Sequence, residues 1–361
     1  MFMIECNLKN HKGNLRKEVI LMKELEYDEE KIKELIDRVV KRTMKMDFTW
    51  DWPCGVAFYG ICKAWEVTKN QEYIDYLVKW VDEYIEIGLP EFMVNAVAMG
   101  HTLITLFDAT GDQKYMDLAI EKAEYLKKDA LRFGEGVFQH TVSPSNDFPE
   151  QAWADTLFMA AYFLLRMGIK LDNKEYVEDA LNQYYWHEEF LQDNKTNTFF
   201  HGWDNVKKDH MSGIHWARAN AWAAYTMAEA TTLINYLYPM FMSISDCLRD
   251  QISALVRLQS EEGLWHTILD DESSYLETSA SAGIAASLVI MGHPLQKKYV
   301  QKALVGICNN ISEDGSVMNV SAGTAVMIDT EGYKKVPKKR VQGWGQGLTL
   351  VFLASLLKYE S

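Results

Sequence analysis

Residues 151–186 read QAWADTLFMAAYFLLRMGIKLDNKEYVEDALNQYYW, and this stretch carries both the repeating unit of the fold and a candidate site residue. Apolar residues recur at helical spacing from Leu157 to Leu165, turn formers interrupt the pattern near Asp172, and a second helical pattern follows. The stretch therefore predicts two helices joined by a tight turn, with Asp155 in the first turn or two of a mostly buried helix.

The same pattern returns along the chain. Related stretches begin near Gly55, Gly100, Ala219, Ser279 and Gly343, and comparable small residues on the first helices are separated by 45, 61, 62, 63 and 61 residues. A period of this kind indicates stacked supersecondary units. The last copy would pair with the helical pattern at 28–46, which closes a ring. The sequence thus predicts an all-α fold, an α6/α6 double barrel over residues 28–361 after an N-terminal extension of residues 1–27, with an open solenoid as the alternative.

Short segments between the hairpins form a second repeat. They are GVFQH (136–140), TFFH (198–201), GLWH (263–266) and GSVM (315–318), and they resemble short strands or turns. His140 and His201 each precede the next helix start by a similar number of residues: Asp155 lies 15 after the first, and Trp216 lies 15 after the second. Equal offsets predict that these histidines and helix starts share one rim of the ring, where a site is expected.

Asp155 has two interpretations. It could cap its helix or interact with the positive helix end. Alternatively, a carboxyl beside Trp153 and Phe158 could have a raised pKa and act as a general acid.

The stretch 216–222, WARANAW, offers an arginine and two flat indole faces. An anionic sugar fits both, since arginine binds carboxylates in a bidentate manner. The alternative is that Trp216 and Trp222 belong to the core and Arg218 forms a salt bridge. His201, Trp50 and Trp52 have the same two interpretations, packing or ligand contact, and 277–279 (ETS) predicts a helix start capped by Ser or Thr.

Composition excludes several classes of function. The net charge of −14 argues against nucleic acid and anionic membranes as partners, although a small anionic oligosaccharide needs only one local cation. Five scattered cysteines predict reduced thiols in a cytoplasmic protein, and no apolar run is long enough to span a membrane. Histidines occur singly, so the sequence predicts no metal site. It contains no nucleotide-binding or dinucleotide-binding motif, so it also predicts no cofactor. The sequence leaves the oligomeric state open.

At these residues the chain resembles the unsaturated rhamnogalacturonyl hydrolases of glycoside hydrolase family 105, whose fold the unsaturated glucuronyl hydrolases of family 88 share. The resemblance runs from about residue 30 to the end. It rests, in order, on WDWPCGVAFYG, WVDEYI, TGDQKY, WADTLFMA, HGWD, WARANAW and ETSASAGIAASL.

The resemblance implies an α6/α6 barrel and a glycosidase that acts on pectin-derived oligosaccharides ending in a 4,5-unsaturated uronic acid. An acid protonates the C4=C5 vinyl ether, water adds at C5, and the resulting hemiketal falls apart. By resemblance, Asp155 is the acid and base, His201 and Trp216 contact the sugar, Arg218 faces the ligand, and Trp222 stacks on it. His140 and Trp52 are expected on the same rim.

One position departs from the family. Counting back five residues from Gly100 leads to Asn95, where the family has a second aspartate. Asparagine can hydrogen-bond a sugar hydroxyl but cannot titrate. Two other functions therefore stay open: a non-catalytic sugar-binding protein, and an ordinary inverting glycosidase. The latter needs a second rim carboxylate, for which the candidates are Asp51, Glu91, Asp147, Asp204 and Glu277.

Overall fold

The computed structural model describes residues 28–143 and 145–359, so the predicted N-terminal extension lies outside the described residues. These residues form 13 α-helices and six strands of two or three residues. The inner helices are α2 (Trp52–Thr68), α4 (Gly100–Thr110), α6 (Phe163–Leu171), α8 (Ala217–Leu233), α10 (Thr278–Met291) and α13 (Gly343–Tyr359). The outer helices are α1 (Glu29–Thr43), α3 (Gln71–Ile87), α5 (Gln113–Lys128), α7 (Lys174–Leu191), α9 (Phe241–Leu255) and α11 (Lys297–Cys308). A short helix, α12 (Thr330–Lys334), precedes the last inner helix.

The ring is closed. Each inner element contacts the next, and α13 packs against both α2 and α1. Gln346 of α13 donates to the Val39 carbonyl and to Thr43 of α1, so the first and last helices form the sixth hairpin. The predicted double barrel is confirmed, and an open solenoid is excluded.

The turns within the hairpins explain why each inner helix stops and each outer helix starts. Lys69, Gly111 and Asp172 end three inner helices in the left-handed conformation, and in each case the next residue caps the outer helix. These caps are Asn70, Asp112 and Asn173, whose side chains accept main-chain N–H groups of the first turn. Such caps satisfy donors that the helix itself leaves unpaired.

Small residues allow the inner helices to approach closely at the axis. A Cβ at Gly60 would lie 2.5 Å from the Gly347 carbonyl oxygen, and a Cβ at Gly347 would lie 2.2 Å from that of Val56. Neither contact leaves room for a side chain. The small residues therefore let α2 and α13 pack closely against each other at the axis.

The strands lie at one rim and form three antiparallel pairs: β1 (Arg132–Phe133) with β2 (Val137–Phe138), β3 (Gln151–Trp153) with β4 (Gly202–Asp204), and β5 (Trp265–His266) with β6 (Leu276–Glu277). Three of them, β2, β4 and β5, fall on or beside predicted segments, whereas the fourth predicted segment, 315–318, forms only an isolated bridge between Ile311 and Val317. In the β3–β4 pair, Trp153 lies opposite Gly202. This pairing joins the segments that carry Asp155 and His201.

Among the described residues, no helix combines the length and apolar character needed to cross a bilayer. The four cysteines in this part of the chain are free thiols.

Candidate active site

A cavity of about 180 Å³ opens at the rim that carries the strands. It is lined by Trp52, Asn95, His140, Val142, Asn146, Phe148, Trp153, Asp155, Trp216, Arg218, Gly323, Thr324 and Ala325. Six of the eight predicted site residues are among them. Larger grooves of about 990 and 780 Å³ exist elsewhere on the surface, but they contain none of the predicted residues. The chemistry therefore points to the smaller cavity.

Asp155 lies where β3 gives way to an inner helix. The Ala154 N–H donates to the His201 carbonyl, and Leu157–Tyr162 continue the helix with the wider π-type turn. Such turns often occur at functional sites. The Asp155 side chain is 15% exposed, and its Oδ2 lies 3.4 Å from Nε2 of His201. The structure thus brings together two residues that are 46 positions apart.

His201 is enclosed by aromatic rings. Its ring centroid lies 4.1 Å from that of Trp216 and 5.3 Å from that of Trp153, and the residue is buried. Nδ1 lies 2.7 Å from the Tyr333 hydroxyl. Burial lowers the pKa of His201, and the nearby Asp155 opposes that shift without cancelling it, so the imidazole is neutral near pH 7.

The predicted raised pKa of Asp155 is wrong for the free protein. Burial raises the pKa of this carboxyl, but the contact with His201 and the charges of His140 and Arg218 bring it below its usual value. The apolar neighbours Trp153 and Phe158 were expected to dominate. His201, which the β3–β4 pair brings alongside, outweighs them together with His140 and Arg218.

Asn95 and His140 form the opposite wall. Asn95 Nδ2 lies 3.4 Å from His140 Nε2, and His140 Nδ1 lies 3.1 Å from Thr156 Oγ1. The His140 ring stacks on Trp153 at 4.2 Å, and burial lowers the pKa of His140 to about 3. Asn95 Oδ1 has no partner among the described residues although it is buried. An unpaired amide oxygen in a cavity wall suits a sugar hydroxyl.

Arg218 lines the cavity but is already heavily engaged. Nη1 donates to Glu277 and to both oxygens of Ser321, and Nη2 donates to the Ala322 carbonyl and to Thr324. The guanidinium also lies 4.4 Å from the Trp216 ring. Both interpretations of Arg218 therefore have support, since it forms a salt bridge and yet borders the cavity.

Glu277 is the shared acceptor of several hydrogen bonds in this network. It caps α10 by accepting from the Ala280 N–H and also accepts from Ser279 and from the Ser321 N–H. The predicted helix start is correct, but the cap is Glu277 rather than a serine or threonine.

Trp222 does not fit its predicted role. It is fully buried, does not line the cavity, and packs on Phe158 with ring centroids 4.9 Å apart. Four residues along a helix advance the chain by about 6 Å, which takes Trp222 one turn deeper than Arg218. Trp52, in contrast, lines the cavity and stacks on Trp344 at 4.7 Å. Trp50 is buried against Trp80, as the packing interpretation holds.

Within the part of the chain that the structure describes, Asp155 is the only carboxyl that lines the cavity. Of the five alternative carboxylates, Asp51 caps α2, Asp204 accepts the N–H groups of Val206 and Lys207, and Glu277 is buried behind Arg218. Glu91 and Asp147 do not reach the cavity. Within residues 28–143 and 145–359, no three histidine, cysteine or acidic side chains cluster as a metal site would require.

Sequence reasoning missed Tyr333 and the segment 321–325. Both lie in a stretch with little regular structure, where no helical or strand periodicity marks a residue as inward-facing. His266, which shares the offset of His140 and His201, turns instead to the Ser274 carbonyl.

Comparison with known proteins gives one consistent result. A model of Glycosyl Hydrolase Family 88 matches residues 26–360. The unsaturated rhamnogalacturonyl hydrolase YesR of Bacillus subtilis is 58% identical over 338 residues, which are 93% of this chain and 98% of that protein. A possible member of glycoside hydrolase family 105 from Salmonella enterica superposes with a TM-score of 0.87 at 27% identity, covering 91% of this chain and 94% of that chain. The unsaturated glucuronyl hydrolase of Bacillus sp. GL1 has a TM-score of 0.71 at 16% identity, over 89% and 96% of the two chains, and shares the fold.

Proposed function

The chain belongs to Glycosyl Hydrolase Family 88, and on that premise we propose that it removes a 4,5-unsaturated uronic acid from the non-reducing end of lyase-generated oligosaccharides. The relative YesR is named an unsaturated rhamnogalacturonyl hydrolase, and for this chain we propose an unsaturated galacturonyl residue as the group that is removed. The observation that carries the proposal is a single carboxyl, Asp155, in a small cavity beside a neutral histidine.

The reaction needs one group that first gives and then takes a proton. Asp155 delivers its proton to C4, the C4=C5 electrons form the new C–H bond, and the ring oxygen stabilises the cation at C5. Water attacks C5 and loses a proton to the Asp155 carboxylate. The C5 hemiketal opens, and the hemiacetal left at C1 expels the leaving sugar. Asp155 ends protonated, so one carboxyl completes the cycle.

The lowered pKa of free Asp155 fits this cycle if the substrate binds together with a proton. The uronic acid brings its own carboxylate, and a like charge nearby raises the pKa of a carboxyl. Once protonated, Asp155 remains a strong acid because His201 stabilises the carboxylate that forms on proton transfer. Strong acidity favours protonation of carbon, which is the demanding step.

The other site residues bind and orient. Trp52 and Trp216 offer aromatic faces to the sugar, Asn95 and His140 contact its hydroxyls, and Arg218 supplies positive charge toward the carboxylate. Trp222 supports Phe158 from beneath rather than stacking on the ligand. An inverting glycosidase needs two carboxyl groups about 6.5–9.5 Å apart across the sugar. The single lining carboxyl does not favour that reaction.

The test is a panel of lyase-generated oligosaccharides that end in unsaturated galacturonyl or glucuronyl residues, followed by loss of the ultraviolet absorbance of the C4=C5 bond. We expect turnover of at least one galacturonyl substrate. Asp155→Asn should reduce turnover at least ~100-fold with little change in binding, since general acid–base catalysis typically contributes that much.

Asp147→Asn is the matched control, because Asp147 lies on the neighbouring loop without lining the cavity. Its activity should equal that of the wild type. Binding of the panel without turnover by the wild type would instead support a sugar-binding protein.

A further inference from the structure

Tyr333 lies behind the cavity rather than in it. It belongs to the short helix α12 and is fully buried, and its hydroxyl lies 2.7 Å from Nδ1 of His201. Burial raises the pKa of Tyr333 well above neutrality, so its hydroxyl keeps its proton. It does not line the cavity, so it can act only through His201.

The neighbours of His201 determine where its proton lies. Nε2 lies 3.4 Å from Oδ2 of Asp155, and neither atom has a hydrogen-bond partner among the described residues. An ionised carboxylate can only accept, so this approach favours hydrogen on Nε2. A neutral imidazole then has a bare Nδ1, which can only accept. Tyr333 is therefore the donor in the 2.7 Å contact.

Independent contacts hold Tyr333 in place. The Tyr275 hydroxyl donates to its carbonyl at 3.4 Å, and Lys334 pairs with Asp271 at 2.7 Å. At the other end of the segment 321–333, Arg218 binds the carbonyls of Ser321 and Ala322. The segment is thus fastened to Arg218 at its start and to His201 at its end.

We propose that Tyr333 is a positioning residue, whose hydroxyl holds His201 in the tautomer that presents an Nε2–H toward Asp155. A neutral histidine has two tautomers of similar energy, and only one presents a donor to the acid. The effect of Tyr333 on turnover rests on the proposed function, whereas its effect on the tautomer of His201 can be tested without any substrate.

Other titratable or charged groups face this pair as well. They are His140 with His187 behind it, and Arg218 with Glu277 behind it. Tyr333→Phe leaves all of them in place and removes only the hydroxyl. The ionised form of Asp155 then loses part of its stabilisation, so the pKa of Asp155 should rise.

The first test compares the pH dependence of kcat/KM for the wild type and Tyr333→Phe. Activity that needs protonated Asp155 falls as pH rises through its pKa, so the descending limb should move to higher pH by about half to one unit. The value of kcat at the optimum should fall roughly 2- to 12-fold, because Asp155 becomes a weaker acid. A fall in kcat without movement of the limb would mean a merely structural role and would overturn the proposal.

Tyr184→Phe is the matched control. It also removes one buried tyrosine hydroxyl, which donates to the Thr226 carbonyl away from the site. Its descending limb should coincide with that of the wild type. An equal shift in this variant would also overturn the proposal.

The second test uses no substrate. Nitrogen-15 NMR of the histidine side chains, with the His201 signals identified by their loss in His201→Gln, should show hydrogen on Nε2 and a bare Nδ1 in the wild type. Tyr333→Phe should populate the Nδ1–H tautomer. Hydrogen on Nδ1 in the wild type would overturn the proposal even if the variant fails to fold. If the NMR result holds but no panel substrate is cleaved, the proposed function fails and the role of Tyr333 stands.

Discussion

Glu277→Gln tests whether the buried carboxylate behind Arg218 holds the wall of the site together. Oε2 of Glu277 accepts the Ala280 N–H at 2.6 Å, and Oε1 accepts the Ser321 N–H at 2.8 Å. Glutamine has one oxygen and one NH₂ group at these positions. In either orientation of the amide, a donor would face a main-chain donor.

The expected loss is large because a charge is also left unpaired. Arg218 is buried and keeps its positive charge when Glu277 is neutralised. Removing one partner of a buried ion pair costs about 3–5 kcal/mol. This is a substantial part of the total free energy of unfolding, which for most proteins is about 5–15 kcal/mol.

The assay is equilibrium unfolding in denaturant, with Asp112→Asn as the control. Asp112 also caps a helix, α5, but is exposed, and asparagine caps equally well, so the control should change the free energy of unfolding by less than about 0.5 kcal/mol. A change below about 1 kcal/mol in Glu277→Gln would refute the reasoning that this ion pair holds the 321–324 segment.

Two further substitutions test individual residues of the site. Asn95→Asp adds a like charge to the cavity wall, so the pKa of Asp155 should rise. The descending limb of a pH–rate profile should then move to higher pH. Coincident profiles of the variant and the wild type would mean that residue 95 does not act on Asp155. Trp222→Phe should lower the free energy of unfolding by about 1–3 kcal/mol, because packing on Phe158 is lost. Its KM should stay within about twofold of the wild-type value. A large rise in KM at unchanged stability would mean that Trp222 does stack on the ligand.

The architecture could be predicted because its signals are local and repeated. Turn residues such as Asn70 and Asp112 cap outer helices whatever the rest of the chain does. Small residues such as Gly60 and Gly347 mark the crowded axis. Repetition of these signals at a fixed period was enough to predict six hairpins and a closed ring.

The site could be predicted only in part. The shared offsets of His140 and His201 predicted one rim for both; His140 lines the cavity and His201 lies 3.4 Å from Asp155. Asn95, found by counting back from Gly100, also lines the cavity. The pKa of Asp155 depends on a contact with His201 across the β3–β4 pair, and sequence spacing gives no distance for such a contact. Ser321 was missed because it lies in an irregular segment, and Tyr333 because its helix, α12, is only five residues long and too short to show periodicity.

Proton NMR of the wild-type reaction in D₂O tests most directly whether cleavage proceeds by hydration of the double bond. Protonation of C4 by Asp155 predicts one deuterium at C4 of the released keto acid, loss of the C4=C5 bond in step with release of the leaving sugar, and no such product from Asp155→Asn. Release of a monosaccharide that still contains the C4=C5 bond, with no deuterium at C4, would show attack at the anomeric carbon and would contradict the proposed role of Asp155.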